Sequence, residues 1–271
     1  MGLVLDVLIE QVKKIYEMPP LHWTDDVLTE KDKEILKNES RADNFDKLHL
    51  KNTTHNGFIN GTVKPIIKKT HNARIVILSE ENQRFPWEFW GRIFQWLGAP
   101  KSGVWQIYIY SNSTQRILPL DGSIGPEHLN GGYTYPCNND SIIIYRYEEA
   151  TRVLIHELLH SACTDNHAVP VEEREAATEV WAELFLIVLL SKGNAKKAYK
   201  LWKIQDHYIQ DLNYTVNTFH NVNTRADYGA RYTILREDVL SYFNICLDSK
   251  YKPKRSLISR FTSPELDKYM M

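Results

Sequence analysis

Cysteine is scarce in this chain: three of 271 residues, Cys137, Cys163 and Cys246. So small and odd a number supplies no disulfide framework, and none stands in a CxxC pair of the kind that builds a thiolate zinc ribbon. Methionine is absent between Met18 and Met270. Neither charge sign dominates. Lys+Arg is 33 and Asp+Glu is 34, a net charge of −1, so electrostatics give no reason to expect a nucleic acid or an anionic membrane as partner. No run reaches the ~18 apolar residues of a membrane span. Asp6 and Glu10 interrupt the first ten residues, where a secretory signal needs basic and then unbroken apolar residues. Without such a signal, Asn-x-Ser/Thr triplets such as the one at Asn112 carry little weight. Met1-Gly2 opens like a myristoylation signal, but position 6 is Asp where Ser or Thr is preferred. These absences lead to the expectation of a soluble protein of a reducing, cytoplasmic or otherwise intracellular compartment.

What remains is an ordinary globular composition, 43% hydrophobic and 25% charged, which excludes disordered, collagen-like and coiled-coil chains. The length suits one large domain, or one domain with an extension. Residues 1–70 read as a helical and loop-rich extension: Val4, Leu5, Leu8, Val12 and Ile15 recur at helical spacing until Pro19-Pro20. The signals sharpen after that, in what reads as a domain over 71–271. Arg74–Leu78 and Val104–Tyr110 are strands by their β-branched and aromatic content. Between them, Phe85–Leu97 has helical periodicity, with Pro86 near its start and Gly98 at its end. Extended runs follow at Gly131–Tyr135 and Ser141–Arg146, and beyond Glu148 the pattern is helical almost to the end. Strands first and helices last predicts an α+β fold rather than an alternating parallel one.

The chemistry sits in Val153-Leu-Ile-His-Glu-Leu-Leu-His-Ser161. His156 and His160 are four apart, so on a helix both imidazoles leave one face, one turn apart. So placed, they can share a divalent ion in a tetrahedral N/O site. Glu157 is within reach of a water in the open position of such an ion, where it would act as general base. The motif is embedded in Val153, Leu154, Ile155, Leu158, Leu159 and Ala162, and buried histidines need partners. Hydrogen bonds within a core would also provide them.

This HExxH helix following a strand resembles the zincin metallopeptidases over roughly residues 73–250, and its motif context is similar to metallopeptidases of large DNA viruses. The resemblance implies a mixed sheet ahead of the motif helix, one Zn²⁺ per chain, and hydrolysis of a peptide or isopeptide bond in a peptide or protein substrate. It also implies an edge strand that binds extended substrate, here Leu129–Tyr135, where paired glycines would let a peptide backbone come close; a hairpin turn at Gly131-Gly132 is the alternative. Two branches differ in the third ligand. Metzincins add a histidine, and His167 is the candidate, although it arrives one residue late, Cys163 replaces the family's glycine, and no methionine is available for the family's methionine turn. Gluzincins use a glutamate on a second helix. Eighteen residues separate His160 from Glu179, a spacing common in that branch. Glu183 then matches the acidic residue that orients a ligand histidine, with the ligand role itself as its alternative.

The favoured set is therefore His156, His160 and Glu179. Glu183 lies in an otherwise apolar stretch, Val180–Leu190, so its carboxylate must be paired or bound. Glu172, Glu173 and Glu175 suit a solvated first helical turn. An oxyanion formed during hydrolysis needs a donor. Tyr228 and Tyr232, expected on one face at the start of the last long helix, are candidates, and His220 just before them is a third. A zinc-containing binding or scaffold protein without turnover is the alternative function, and an interaction module without metal is a further one.

Overall fold

The structure, a computed structural model, describes residues 3–42, 45–220, 222 and 224–270. The lipidation signal at Met1 and Gly2 lies outside the described residues. In chain order the elements are α1 (Leu3–Glu17), β1 (Thr24–Asp25), α2 (Glu30–Arg41), α3 (Leu50–Ile59), β2 (Lys64–Lys69), β3 (Ala73–Ser79), α4 (Trp87–Leu97), β4 (Trp105–Ser111) and α5 (Pro126–Leu129). They continue as β5 (Gly132–Tyr133), β6 (Ile142–Ile144), α6 (Ala150–Ser161), α7 (Val171–Ser191), α8 (Ala195–Phe219) and α9 (Ile234–Tyr242). The chain divides into two compact units. One is Pro20–Gln115 with Asn130–Thr164; the other is Met1–Pro19, Arg116–Leu129 and Asp165–Met271. β2 pairs with β3 across residue 70, so the sheet itself bridges the boundary expected there from sequence.

The first unit is built on a six-stranded mixed sheet of order β1-β2-β3-β4-β6-β5. The α+β class expected from sequence is present. Its centre departs from that expectation, because β3, β4 and β6 run parallel, and α4 is the helix that returns the chain from β3 to β4. Parallel strands are buried on both faces. Accordingly Ile75–Leu78, Ile107–Tyr110 and Ile142–Ile144 are almost wholly buried on both sides of the pleat. Val76, Leu78, Tyr108, Tyr110 and Ile143 pack with Leu36 of α2 and Leu50 of α3. On α4, Trp90 donates from its indole N–H to the Thr151 hydroxyl of α6 at 2.9 Å. Residues 20–70, expected to be helical and loop-rich, hold two helices and also two strands that join the sheet. Arg74 fastens part of that segment, donating to both Asp32 oxygens at 2.8 Å and to Asp26 at 2.7 Å.

The second unit is helical. From Ala176 onward α7 is buried except for the half-buried Ala177 and Trp181, and it is apolar there except for Thr178, Glu179, Glu183 and Ser191, as a central helix must be. The chain leaves it through Lys192 and Gly193, both left-handed (φ 56° and 73°). Gly193 lies so close to α1 that a Cβ would fall 2.5 Å from the Lys13 Cα. Tyr228 and Tyr232 are not on the last long helix. They occupy a 3₁₀ turn, Tyr228–Tyr232, and α9 begins after it at Ile234. Beyond α9 the described residues are irregular apart from an isolated bridge of Ile258 to Ile117 and a short turn at Pro264–Tyr269. Among the described residues, no helix is long and apolar enough to cross a membrane.

Candidate metal centre

In the first unit all twelve residues of α6 are buried. Val153, His156, Glu157 and His160 form one stripe at three- and four-residue spacing, so they leave the helix together. The two histidine Nε2 atoms stand 3.0 Å apart, with ring centroids at 4.7 Å. Two zinc–nitrogen bonds of 2.0–2.1 Å at a tetrahedral angle place the nitrogens about 3.3 Å apart. The pair is therefore shaped for one small divalent ion. Glu157 is 6% exposed, and its carboxylate faces the edge strand, where a Cβ added to Gly132 would lie 3.3 Å from Oε1.

α6 ends in a turn of Schellman type. Cys163 takes the left-handed conformation (φ 60°) that glycine usually fills there, and its N–H bonds the His160 carbonyl at 3.1 Å while Thr164 bonds Leu159. The Cys137 N–H reaches the same His160 carbonyl, also at 3.1 Å, and Ser161 donates to the Asn138 carbonyl. Cys137 and Cys163 are joined by a disulfide; Cys246 remains free. The expectation that three cysteines supply no disulfide framework left this single bond unforeseen. The two cysteines lie far apart in sequence and in no motif, and only the return of the β5–β6 loop to the end of α6 brings them together.

In the second unit, Glu175, Glu179 and Glu183 line one face of α7 at successive turns. Glu175 is half-buried, and Glu179 and Glu183 are 5% and 2% exposed. Glu183 accepts from the Gln205 amide and lies 3.9 Å from the guanidinium of Arg236, itself wholly buried. Gln205 also bonds Phe261 and Ser263, so Glu183 belongs to a polar cluster inside this unit. Tyr232 is stacked on Phe261 with centroids 4.8 Å apart. Burial first, then Tyr228, Glu175 and Glu179, push its phenol well above the ordinary range, so it stays a proton donor. Tyr228 is half-buried, its ring 4.5 Å from the Arg231 guanidinium carbon. His220 is buried, with Nδ1 3.1 Å from the Gly122 carbonyl. His167 is exposed, 2.6 Å from Arg174.

Among the described residues, His156 and His160 of the first unit are two side chains able to hold a metal ion. Paired imidazoles suit zinc, and also iron, copper or nickel. Glu175, which the sequence assigned to a solvated first turn, is half-buried and offers the second unit a further carboxylate that sequence reasoning passed over. It stands one turn before Glu179, and several closely spaced glutamates gave the spacing argument no means of choosing. Comparison with family models, with curated proteins and with solved structures gives no match for this chain.

Proposed function

We propose that this protein is a zinc-dependent peptidase of the zincin type, with a gluzincin-like ligand set of His156, His160 and a glutamate of α7. Glu175 is the first choice for that glutamate and Glu179 the second. The observation that carries the reading is the α6 stripe. Two buried imidazoles present their Nε2 atoms 3.0 Å apart, with the buried Glu157 carboxylate between them in sequence.

Zinc bound there would supply a Lewis acid and lower the pKa of a coordinated water. The protein's own residues then have defined tasks. Glu157 accepts a proton at its carboxylate and returns it to the leaving amine. Among the described residues β5 is the last strand of the sheet and pairs with β6 alone, so an extended peptide can add alongside it through backbone hydrogen bonds. Tyr232, kept protonated by burial, or Tyr228 beside it, donates to the developing oxyanion.

The test is metal analysis of protein purified without chelator, followed by comparison of wild type with Glu157→Gln. The wild type carries about one zinc per chain, and the double variant His156→Ala/His160→Ala carries none. Glu157→Gln keeps its zinc and loses hydrolysis by roughly 10²–10⁴-fold, read as new peptide termini after incubation with a cell lysate. Stoichiometric zinc in the double histidine variant rejects the ligand set. Equal new termini with wild type and Glu157→Gln reject the peptidase.

A further inference from the structure

Gly132 has a feature that turn geometry does not explain. Its φ is not among the left-handed values in this chain, so no backbone conformation demands glycine there. Space does. A Cβ at this position would lie 2.6 Å from Val153 Cγ1, 2.8 Å from the Ile143 carbonyl oxygen and 3.3 Å from Glu157 Oε1. The backbone of β5 thus rests directly on α6 at Val153 and Glu157, one turn apart on the face that carries His156. Paired glycines were expected to admit a peptide; at Gly132 the room is taken by the motif helix.

β5 cannot readily back away from that contact. The next residue, Tyr133, points to the opposite face of the sheet, as alternation requires. Its hydroxyl accepts from the Lys51 ammonium at 2.7 Å and donates to the Glu39 carboxylate. The Lys51 Nζ also sits 4.5 Å from the centre of the Tyr133 ring, and Phe45 stacks on that ring at 4.9 Å. Lys51 is 1% exposed, and a buried ammonium is held only where its bonds are satisfied. α2 and α3 therefore clamp β5 from one face while the absent side chain at 132 brings it against Glu157 on the other.

We propose that Gly132 is a positioning residue: it fixes the Glu157 carboxylate at the edge strand, with the Lys51–Tyr133–Glu39 anchor holding β5 in place behind it. This rests on the peptidase reading given above. An alanine at 132 must push β5 outward or displace Val153 and Glu157, and a displacement near 1 Å at reacting groups costs on the order of 10²-fold in rate.

The experiment measures kcat, KM, zinc content and thermal midpoint for wild type and Gly132→Ala, using a synthetic peptide library read by mass spectrometry. The expected result is a kcat about 100-fold lower with full zinc occupancy and a midpoint close to wild type, a combination that a purely structural role does not produce. An unchanged kcat in zinc-loaded Gly132→Ala overturns the proposal. If Gly132→Ala folds poorly or loses zinc, the comparison moves to Gly132→Ala/Val153→Ala against Val153→Ala, since removing the Val153 methyls opens part of the space. A kcat lower in the double variant supports positioning, and equal values overturn it. A wild type that cleaves nothing in the library while fully zinc-loaded sinks the peptidase reading itself, whereas an active wild type with an equally active Gly132→Ala sinks only this proposal.

Discussion

Glu183 separates two kinds of carboxylate on α7, and its replacement has a calculable outcome. Glu183 and Arg236 are 2% and 0% exposed, with 3.9 Å between carboxylate and guanidinium, and the Gln205 amide ties the same carboxylate to the chain near Phe261. Glu183→Ala removes the carboxylate beside a buried guanidinium, which keeps its bond to the Asn213 side-chain oxygen but loses a neighbouring negative charge. Removing one member of a buried pair typically costs about 3–5 kcal/mol, whereas replacing both members by apolar groups is often close to neutral. Glu183→Ala should therefore lower the unfolding free energy of chelator-treated protein by about 3 kcal/mol or more. Glu183→Ala/Arg236→Met should recover much of that loss. Denaturant unfolding in EDTA gives the stability, and competition with a chromogenic chelator gives the zinc affinity of each folded variant. The reasoning is refuted if Glu183→Ala unfolds like wild type without metal yet loses zinc binding, because Glu183 would then be a ligand.

Zinc affinity should fall furthest in Glu175→Ala, less in Glu179→Ala and least in His167→Ala; a larger loss in Glu179→Ala would restore the ligand chosen from sequence spacing, and one in His167→Ala would restore a metzincin-like site. Stability should fall as pH drops from about 4 to 2. Burial pushes Asp32 up, but the Arg74 and Thr29 hydrogen bonds outweigh it and bring the carboxyl to about 2; Arg74 first and Lys69 next hold Asp26 at about 2. Because both values lie below those of the unfolded chain, the stabilisation is complete above about pH 4 and is lost toward pH 2, about 2 kcal/mol for the buried Asp32 and less for the more solvent-screened Asp26. Arg74→Met should flatten that acid limb in a pH series of urea melts. Thiol titration in denaturant should find one cysteine before reduction and three after it.

The motif helix was legible because HExxH fixes residue types at a spacing that only a helix turns into one face, and the apolar residues around it announced burial. α4 was equally plain, from aromatic periodicity punctuated by Pro86 and Gly98. The parallel centre of the sheet was not, since short apolar runs such as Ile142–Ile144 carry no mark of strand direction. The 3₁₀ turn at Tyr228–Tyr232 shares helical spacing at i and i+4 over so short a stretch that the sequence could not separate it from α9. Long-range pairings were the hardest to read. Neither the Glu183–Arg236 pair nor the Lys51–Tyr133 contact, 82 residues apart, has any local signature.

The bond between Cys137 and Cys163 turns part of this protein into a covalent ring. With a sequence separation of 26, the ring contains β6 and the whole of α6, and so both histidines and Glu157. Tethering a loop of that length removes conformational freedom from the unfolded chain worth about 3.5 kcal/mol in the chain-entropy description. A single proteolytic cut inside the ring also leaves the two fragments connected, so the motif helix is not released by one nick. Where thiols are kept reduced the ring opens, and the same helix is retained by hydrogen bonds and packing alone. Endurance of the HExxH segment in this chain is thus set partly by the redox condition of its surroundings.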